Sequence, residues 1–198
     1  MIDIMNCSKY DKLKIHTKNI SLIWKQARGI APDSTADKMD EAMLHWMAEL
    51  TDTLSIWIEK GSDMTDGELI LARTNMGALA ESWLKFFYCV YYDDYIKNPK
   101  VVRNKVVEPN KITFSGLIEF SVGILCDDKQ DSFYLWTNKI REYRNSIHAF
   151  NYKDIGTPID FIGDMDELYE FVKQISDRLP PLEDCIECYP AGYIPVCL

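Results

Sequence analysis

Apolar residues recur at spacings of three and four along most of the chain, the pattern of helices that each bury one face. The longest run spans Ser34 to Lys60: Met39, Met43, Trp46, Met47, Leu50, Leu54, Trp57 and Ile58 keep the rhythm, and Gly61 stops it. A second runs from near Asp66 to about Tyr95 through Leu69, Ile70, Met76, Leu79, Trp83, Phe86, Phe87 and Val90, and Asn98-Pro99 ends it. Two such helices joined by a short glycine-containing loop predict an antiparallel hairpin.

Three further helices follow. Thr113 is placed as the N-cap of one carrying Leu117, Ile118, Phe120, Ile124 and Leu125. The next runs from about Asp131 to Phe150 with a stripe of Phe133, Trp136, Ile140, Tyr143, Ile147 and Phe150. The last opens on Asp164-Met165-Asp166-Glu167, which has capping-box spacing, continues through Leu168, Phe171, Val172 and Ile175, and stops at Pro180-Pro181. A shorter helical candidate covers Asn19 to Arg28. No internal repeat, low-complexity tract or strand pattern stands out. The expected architecture is therefore all-α: one domain of about five main helices over residues 1–180 and an irregular tail at 181–198.

Composition supports a packed globule, because 47% of the 198 residues are hydrophobic while Gly and Pro number only 9 and 8. The first residues, MIDIMNCSKYDKLK, mix charges early and do not read as a secretory signal. The charge-poor stretch Phe86 to Tyr92 is far shorter than the roughly 18 residues of a membrane span. A cytoplasmic protein with no membrane partner and reduced cysteines is expected.

Charge narrows the choice of ligands. A net charge of −9 repels a phosphate backbone, so any nucleic-acid contact needs a local basic patch. Residues 97–111, KNPKVVRNKVVEPNK, provide one: Lys97, Lys100, Arg103, Lys105 and Lys111 face a single acid, Glu108. Lys100, Arg103 and Lys105 are its candidate RNA contacts.

The segment richest in chemistry is Arg141-Glu142-Tyr143-Arg144-Asn145-Ser146-Ile147-His148-Ala149-Phe150. On a continuous helix, at about 100° per residue, Arg141 at zero places Asn145 at about 40°, Arg144 at about 300° and His148 at about 340°, beside an apolar stripe at about 230°. Two guanidiniums, an amide and an imidazole would then share one face. Guanidinium pairs phosphate oxygens bidentately, and imidazole can move a proton near neutral pH. The plain alternative makes Arg141 and Arg144 partners of surface acids and leaves His148 at a helix end favoured by the dipole.

Other clusters are thinner. Cys185, Cys188 and Cys197 offer three thiols where a structural zinc site uses four ligands, and no histidine lies near them in sequence. His45 and Glu49, at i and i+4, read as the boundary of an amphipathic helix, and Asp93-Asp94 as a solvated helix end. There is no glycine-rich phosphate loop, nucleophile elbow or two-metal carboxylate pattern.

The stretch from Ile140 to Phe150, late in a helical bundle and followed by a short loop and another helix, is similar to the active-site segment of the HEPN (higher eukaryotes and prokaryotes nucleotide-binding) superfamily. The likeness is best over residues 113–180, with helices 34–60 and 67–96 supplying the first hairpin of that fold. It implies a metal-independent, cofactor-free endoribonuclease whose site is assembled where two protomers meet. By position, Arg144 matches the family's arginine, Asn145 the polar residue after it and His148 the histidine. The family pattern has four to six residues between arginine and histidine. Arg144 and His148 enclose three, whereas Arg141 and His148 enclose six. Either Arg141 is the pattern arginine or the site is a shortened variant.

The resemblance thus implies RNA as substrate, a homodimer with a composite site, and a toxin-antitoxin, phage-defence or RNA-processing setting with an antitoxin or other regulatory protein as further partner. A reading from another class is a catalytically silent helical module that uses the same surface to dimerise or to bind a protein or nucleotide. The net charge and the three-residue spacing favour it.

Overall fold

In chain order the helices are α1 (Lys9–Trp24), α2 (Asp33–Glu41), α3 (Leu44–Lys60), α4 (Asp66–Val90), α5 (Tyr92–Lys97), α6 (Phe114–Phe120), α7 (Ser132–Arg144) and α8 (Pro158–Ser176). A single hairpin, β1 (Val101–Val102) with β2 (Lys105–Val106), lies between α5 and α6. The computed structural model describes residues 8–148, 153–182, 189–195 and 198. Among those residues the fold is mostly helical, as the periodicity predicts, but with eight helices rather than about five. None is long and apolar enough to cross a membrane.

Three helices start on reciprocal caps, Ser8 with Asp11, Thr65 with Glu68 and Thr157 with Asp160, each satisfying backbone donors that the first turn leaves open. α4 is the centre of the molecule and packs against α3, α7 and α8, with α2 and α6 along parts of its length. It is therefore apolar over much of its circumference, with Leu69, Met76, Leu79, Trp83, Leu84 and Phe87 all buried, while Thr74, Asn75, Ser82 and Lys85 share a less buried face. Trp83 meets Phe86 edge-on at 5.7 Å, and Phe86 meets Trp24 of α1 at 5.5 Å.

One charged side chain sits inside this helix. Arg73 is 0% exposed; its Nη1 donates to Asp164 Oδ2 at 2.5 Å and its Nε to the Ile155 carbonyl at 3.1 Å. Its guanidinium carbon lies 4.3 Å from the Tyr143 ring centroid and 5.5 Å from that of Phe161. Asp164, also buried, accepts on Oδ1 from Trp136 Nε1 at 3.1 Å and Lys139 Nζ at 2.5 Å. A single ion pair thus joins α4, α7, α8 and the loop entering α8.

Several predicted boundaries move, for physical reasons. The predicted helix Ser34 to Lys60 is two helices, because the carbonyls freed at the end of α2 (Met39, Asp40, Ala42) are collected by Lys25 Nζ at 3.5, 3.4 and 3.2 Å. The predicted Asp66 to Tyr95 helix breaks after Val90, whose carbonyl accepts from Thr35 Oγ1 at 3.0 Å. α1 begins at Lys9 rather than Asn19, and α6 stops at Phe120. α8 begins at Pro158 on its Thr157 cap, so Asp164 is not a cap but a buried residue within the helix. Residues 97–111 hold the hairpin, in which Val101 pairs with Val106 across Arg103 and Asn104, both at positive φ (51° and 60°). That is the two-residue turn whose twist suits paired strands. Its base closes on the Tyr95 hydroxyl, which accepts from the Lys100 amide at 3.1 Å and donates to the Val107 carbonyl.

The described part of the C-terminal tail lies along α1, where the Asn19 side chain donates to the Ile194 carbonyl at 2.6 Å and accepts from its amide at 3.1 Å.

Two expected outcomes follow from the interior. Arg73→Met leaves Asp164 a buried carboxylate without its guanidinium, and urea unfolding should show a loss of about 3–5 kcal/mol. Asp164→Leu in the Arg73→Met background should recover a large part of it.

His16 stacks on Trp83 with ring centroids 5.9 Å apart, and its Nε2 lies 2.8 Å from Ser176 Oγ. Burial pushes its pKa down to about 4 from 6.5. The unfolded chain therefore binds this proton first, so stability contributed by neutral His16 is present above pH 6.5 and lost as pH falls towards 4. The loss should be on the order of 2 kcal/mol. Unfolding free energies measured between about pH 7 and 4 should fall more steeply for the parent than for His16→Gln.

Candidate functional site

α7 starts at Asp131, whose side chain accepts from the Phe133 amide at 2.9 Å, and its buried face is Phe133, Trp136, Thr137 and Ile140. Its last residue is Arg144. A 3-10 turn, Asn145–Ile147, follows, and His148 is extended at φ −89°, ψ 98°. The predicted helix to Phe150 therefore ends early, and His148 does not occupy the helical angle expected of it. In the turn that follows, Ser146 is buried and its hydroxyl donates to the Tyr143 carbonyl at 2.6 Å. Ala149 and Phe150 lie outside the described residues, as do Cys185, Cys188 and Cys197.

Arg144 is held closely. Its stem lies on Gly77 of α4, where an added Cβ would be 2.6 Å from Arg144 Cβ. Its Nη2 pairs with Glu81 Oε2 at 2.9 Å, and Glu81 Oε1 takes Lys85 at 2.8 Å. The guanidinium carbon is 6.0 Å from the Phe114 ring centroid, and the side chain is 35% exposed. Arg141 turns to other partners, Asn138 Oδ1 (3.2 and 3.0 Å) and the Glu142 carboxylate. Lys153 also donates to Glu142, and Lys153 first, then Arg141, holds that carboxyl below its ordinary pKa.

Asn145 is half-buried and caps α7 through its backbone amide, which donates to the Arg141 and Tyr143 carbonyls; His148 and Ile147 are exposed. Arg144, Asn145 and His148 thus lie at the last residue of α7, in the 3-10 turn and just after it. No side-chain hydrogen bond or ion pair joins any two of Arg141, Arg144, Asn145 and His148 among the described residues, and the two arginines engage separate carboxylates.

The basic candidates sit on the hairpin. Arg103 and Lys105 are exposed at its turn, and Lys100 is half-buried at its base, with Nζ 2.9 Å from where Gly116 would carry a Cβ. The only acid of the stretch, Glu108, is taken by Lys38 at 2.9 Å, which is also the main reason its pKa is lowered. α6 touches both candidate regions, through Phe114 at Arg144 and Gly116 at Lys100. Among the described residues there is no group of three or more His, Cys, Asp or Glu side chains able to hold a metal ion.

Sequence reasoning missed Arg73, Gly77 and Glu81. The available signal was a line of non-apolar residues at i, i+4, i+8 and i+12 (Arg73, Gly77, Glu81, Lys85) along α4. Compared with models of protein families, with characterised proteins and with solved structures, the chain has no match.

Gly77→Ala tests the close crossing. The methyl gains about 1 kcal/mol of helix propensity, but it meets a Cβ that moves only with the α7 backbone, and overpacking of this kind costs about 1–3 kcal/mol. A net fall in Tm of a few degrees is expected by thermal circular dichroism; a rise would mean that α7 does not rest on Gly77.

Proposed function

We propose that the chain is a HEPN-type, metal-independent endoribonuclease acting as a homodimer, in a toxin-antitoxin or phage-defence setting where an antitoxin or other regulatory protein restrains it. The observation that supports this most is that Arg144, Asn145 and His148 fall within five consecutive residues where α7 ends, with Arg144 fixed from below by Gly77 and Glu81 and His148 exposed. Pairing with Glu81 occupies Nη2; a guanidinium also carries Nη1 and Nε as donors.

In the proposed step a ribose 2′-oxygen attacks the adjacent phosphorus, the 5′-oxygen leaves, and a 2′,3′-cyclic phosphate forms. His148 moves the proton. Arg144 and Arg141 stabilise the charge that develops on the phosphorane oxygens. The nucleophile belongs to the substrate, so the chemistry calls for no resident metal. Lys100, Arg103 and Lys105 would guide RNA by charge.

One observation favours the second reading, a catalytically silent binding module. Both arginines already have carboxylate partners within the chain, Glu81 and Glu142, which a phosphate would have to displace or share.

Incubation of the purified protein with end-labelled RNA in EDTA separates the two. Cleavage leaving 2′,3′-cyclic phosphate ends is expected, with light scattering at about twice the 23.0 kDa chain mass. His148→Ala and Arg144→Ala should each lower the rate about a hundredfold or more, with unfolding free energies within about 1 kcal/mol of the parent for His148→Ala. Arg141→Ala reports which arginine the spacing requires. Intact RNA with the parent protein leaves the binding module as the function, and full activity of His148→Ala overturns the assignment of this histidine to proton transfer.

A further inference from the structure

At the other end of α4 lies a cavity of about 380 Å³ to which α7 contributes no residue. Its inner wall is a continuous set of aromatic rings. Phe87 and Tyr88 meet at 5.4 Å, Tyr88 and Phe120 at 5.3 Å, and Tyr95 and Phe120 at 5.5 Å, each with planes steeply inclined. The volume and apolar character suit a small-molecule site, which typically adds only a few polar groups to fix orientation.

Those polar groups are the exposed lining residues Asp94, Asn98 and Arg178. Asp94 is neutralised by Lys97, 2.6 Å away. Arg178 forms no ion pair with a described residue; its Nη1 donates to the Gln174 carbonyl at 3.3 Å. The uncompensated charge at the mouth is therefore positive, in a chain whose net charge is −9.

The walls are also fixed in place. The Tyr91 hydroxyl donates to the Arg178 carbonyl, tying α4 to the end of α8, and the Tyr95 hydroxyl donates to the Val107 carbonyl. Tyr88, 2% exposed, carries a hydroxyl with no hydrogen-bond partner among the described residues, and burial holds it in its protonated, donating form.

We propose that this cavity binds a small anionic aromatic molecule, a one- or two-ring carboxylate whose rings enter among Tyr88, Tyr95 and Phe120 and whose charge meets Arg178. The edge-to-face rings favour a flat guest over a saturated chain of equal volume. The site is independent of the chemistry assigned to Arg144 and His148.

Titration calorimetry of the full chain with 1-naphthoate, 1-naphthylmethylamine and octanoate tests it. One naphthoate should bind per chain, about tenfold tighter than either the amine or octanoate. Arg178→Gln should weaken naphthoate about fivefold, the value of one exposed ion pair, without weakening the amine. Ile124→Trp, at a lining position that is 45% exposed, should fill the cavity and abolish binding while the circular dichroism spectrum is unchanged. No saturable naphthoate binding at millimolar concentration, equal binding of the amine or octanoate, or unaltered binding by either variant overturns the proposal.

Discussion

The buried pair of Arg73 and Asp164 is the constraint to which the rest of the structure answers. Removing two charges from water costs several kcal/mol for each ion, and their attraction repays it only when the geometry is good and the remaining donors and acceptors are used. Here the use is extensive but not complete, with Trp136 and Lys139 on the second carboxylate oxygen, the Ile155 carbonyl on Nε, and two ring faces around the guanidinium, while Nη2 has no hydrogen-bond partner among the described residues. Such a pair fixes position more than it adds stability. A slip of α8 by one residue would rotate Asp164 by about 100° and strand both charges.

The candidate site inherits that rigidity. Arg144 at the end of α7 rests against Gly77 and Glu81, and the Ile155 carbonyl accepts from Arg73. Gly77 and Arg73, the two anchors on α4, are about one helical turn apart. His148 is separated from Arg144 at the first anchor by Asn145, Ser146 and Ile147, and its side chain is exposed.

Much of the helical content was legible because burial of one face leaves a period in the sequence, as at Met76, Leu79 and Trp83. The helix breaks were not, because their causes are distant. Lys25 takes the carbonyls that end α2, and Thr35 takes the one that ends α4. Asp164 escapes a sequence reading because its local spacing mimics a cap, while the real cap uses Asp160 with Thr157. The Arg103-Asn104 turn lacks the glycine that usually marks such a hairpin. At the candidate site, the residues from Arg144 to His148 could be singled out as a segment, but a helical angle could not reveal that the helix ends at Arg144 or that Glu81, far away in sequence, holds Arg144.

Arg73 and Asp164 are separated by 91 residues. During synthesis, at typical rates, Arg73 would precede its partner by roughly ten seconds. Throughout that interval α3 and α4 can form, but α4 cannot be buried on the side that holds Arg73 without sealing in a lone positive charge. That face has to stay wet until α8 arrives. α8 is therefore more than a lid on a finished core: its carboxylate is the counterion without which the central helix cannot leave water.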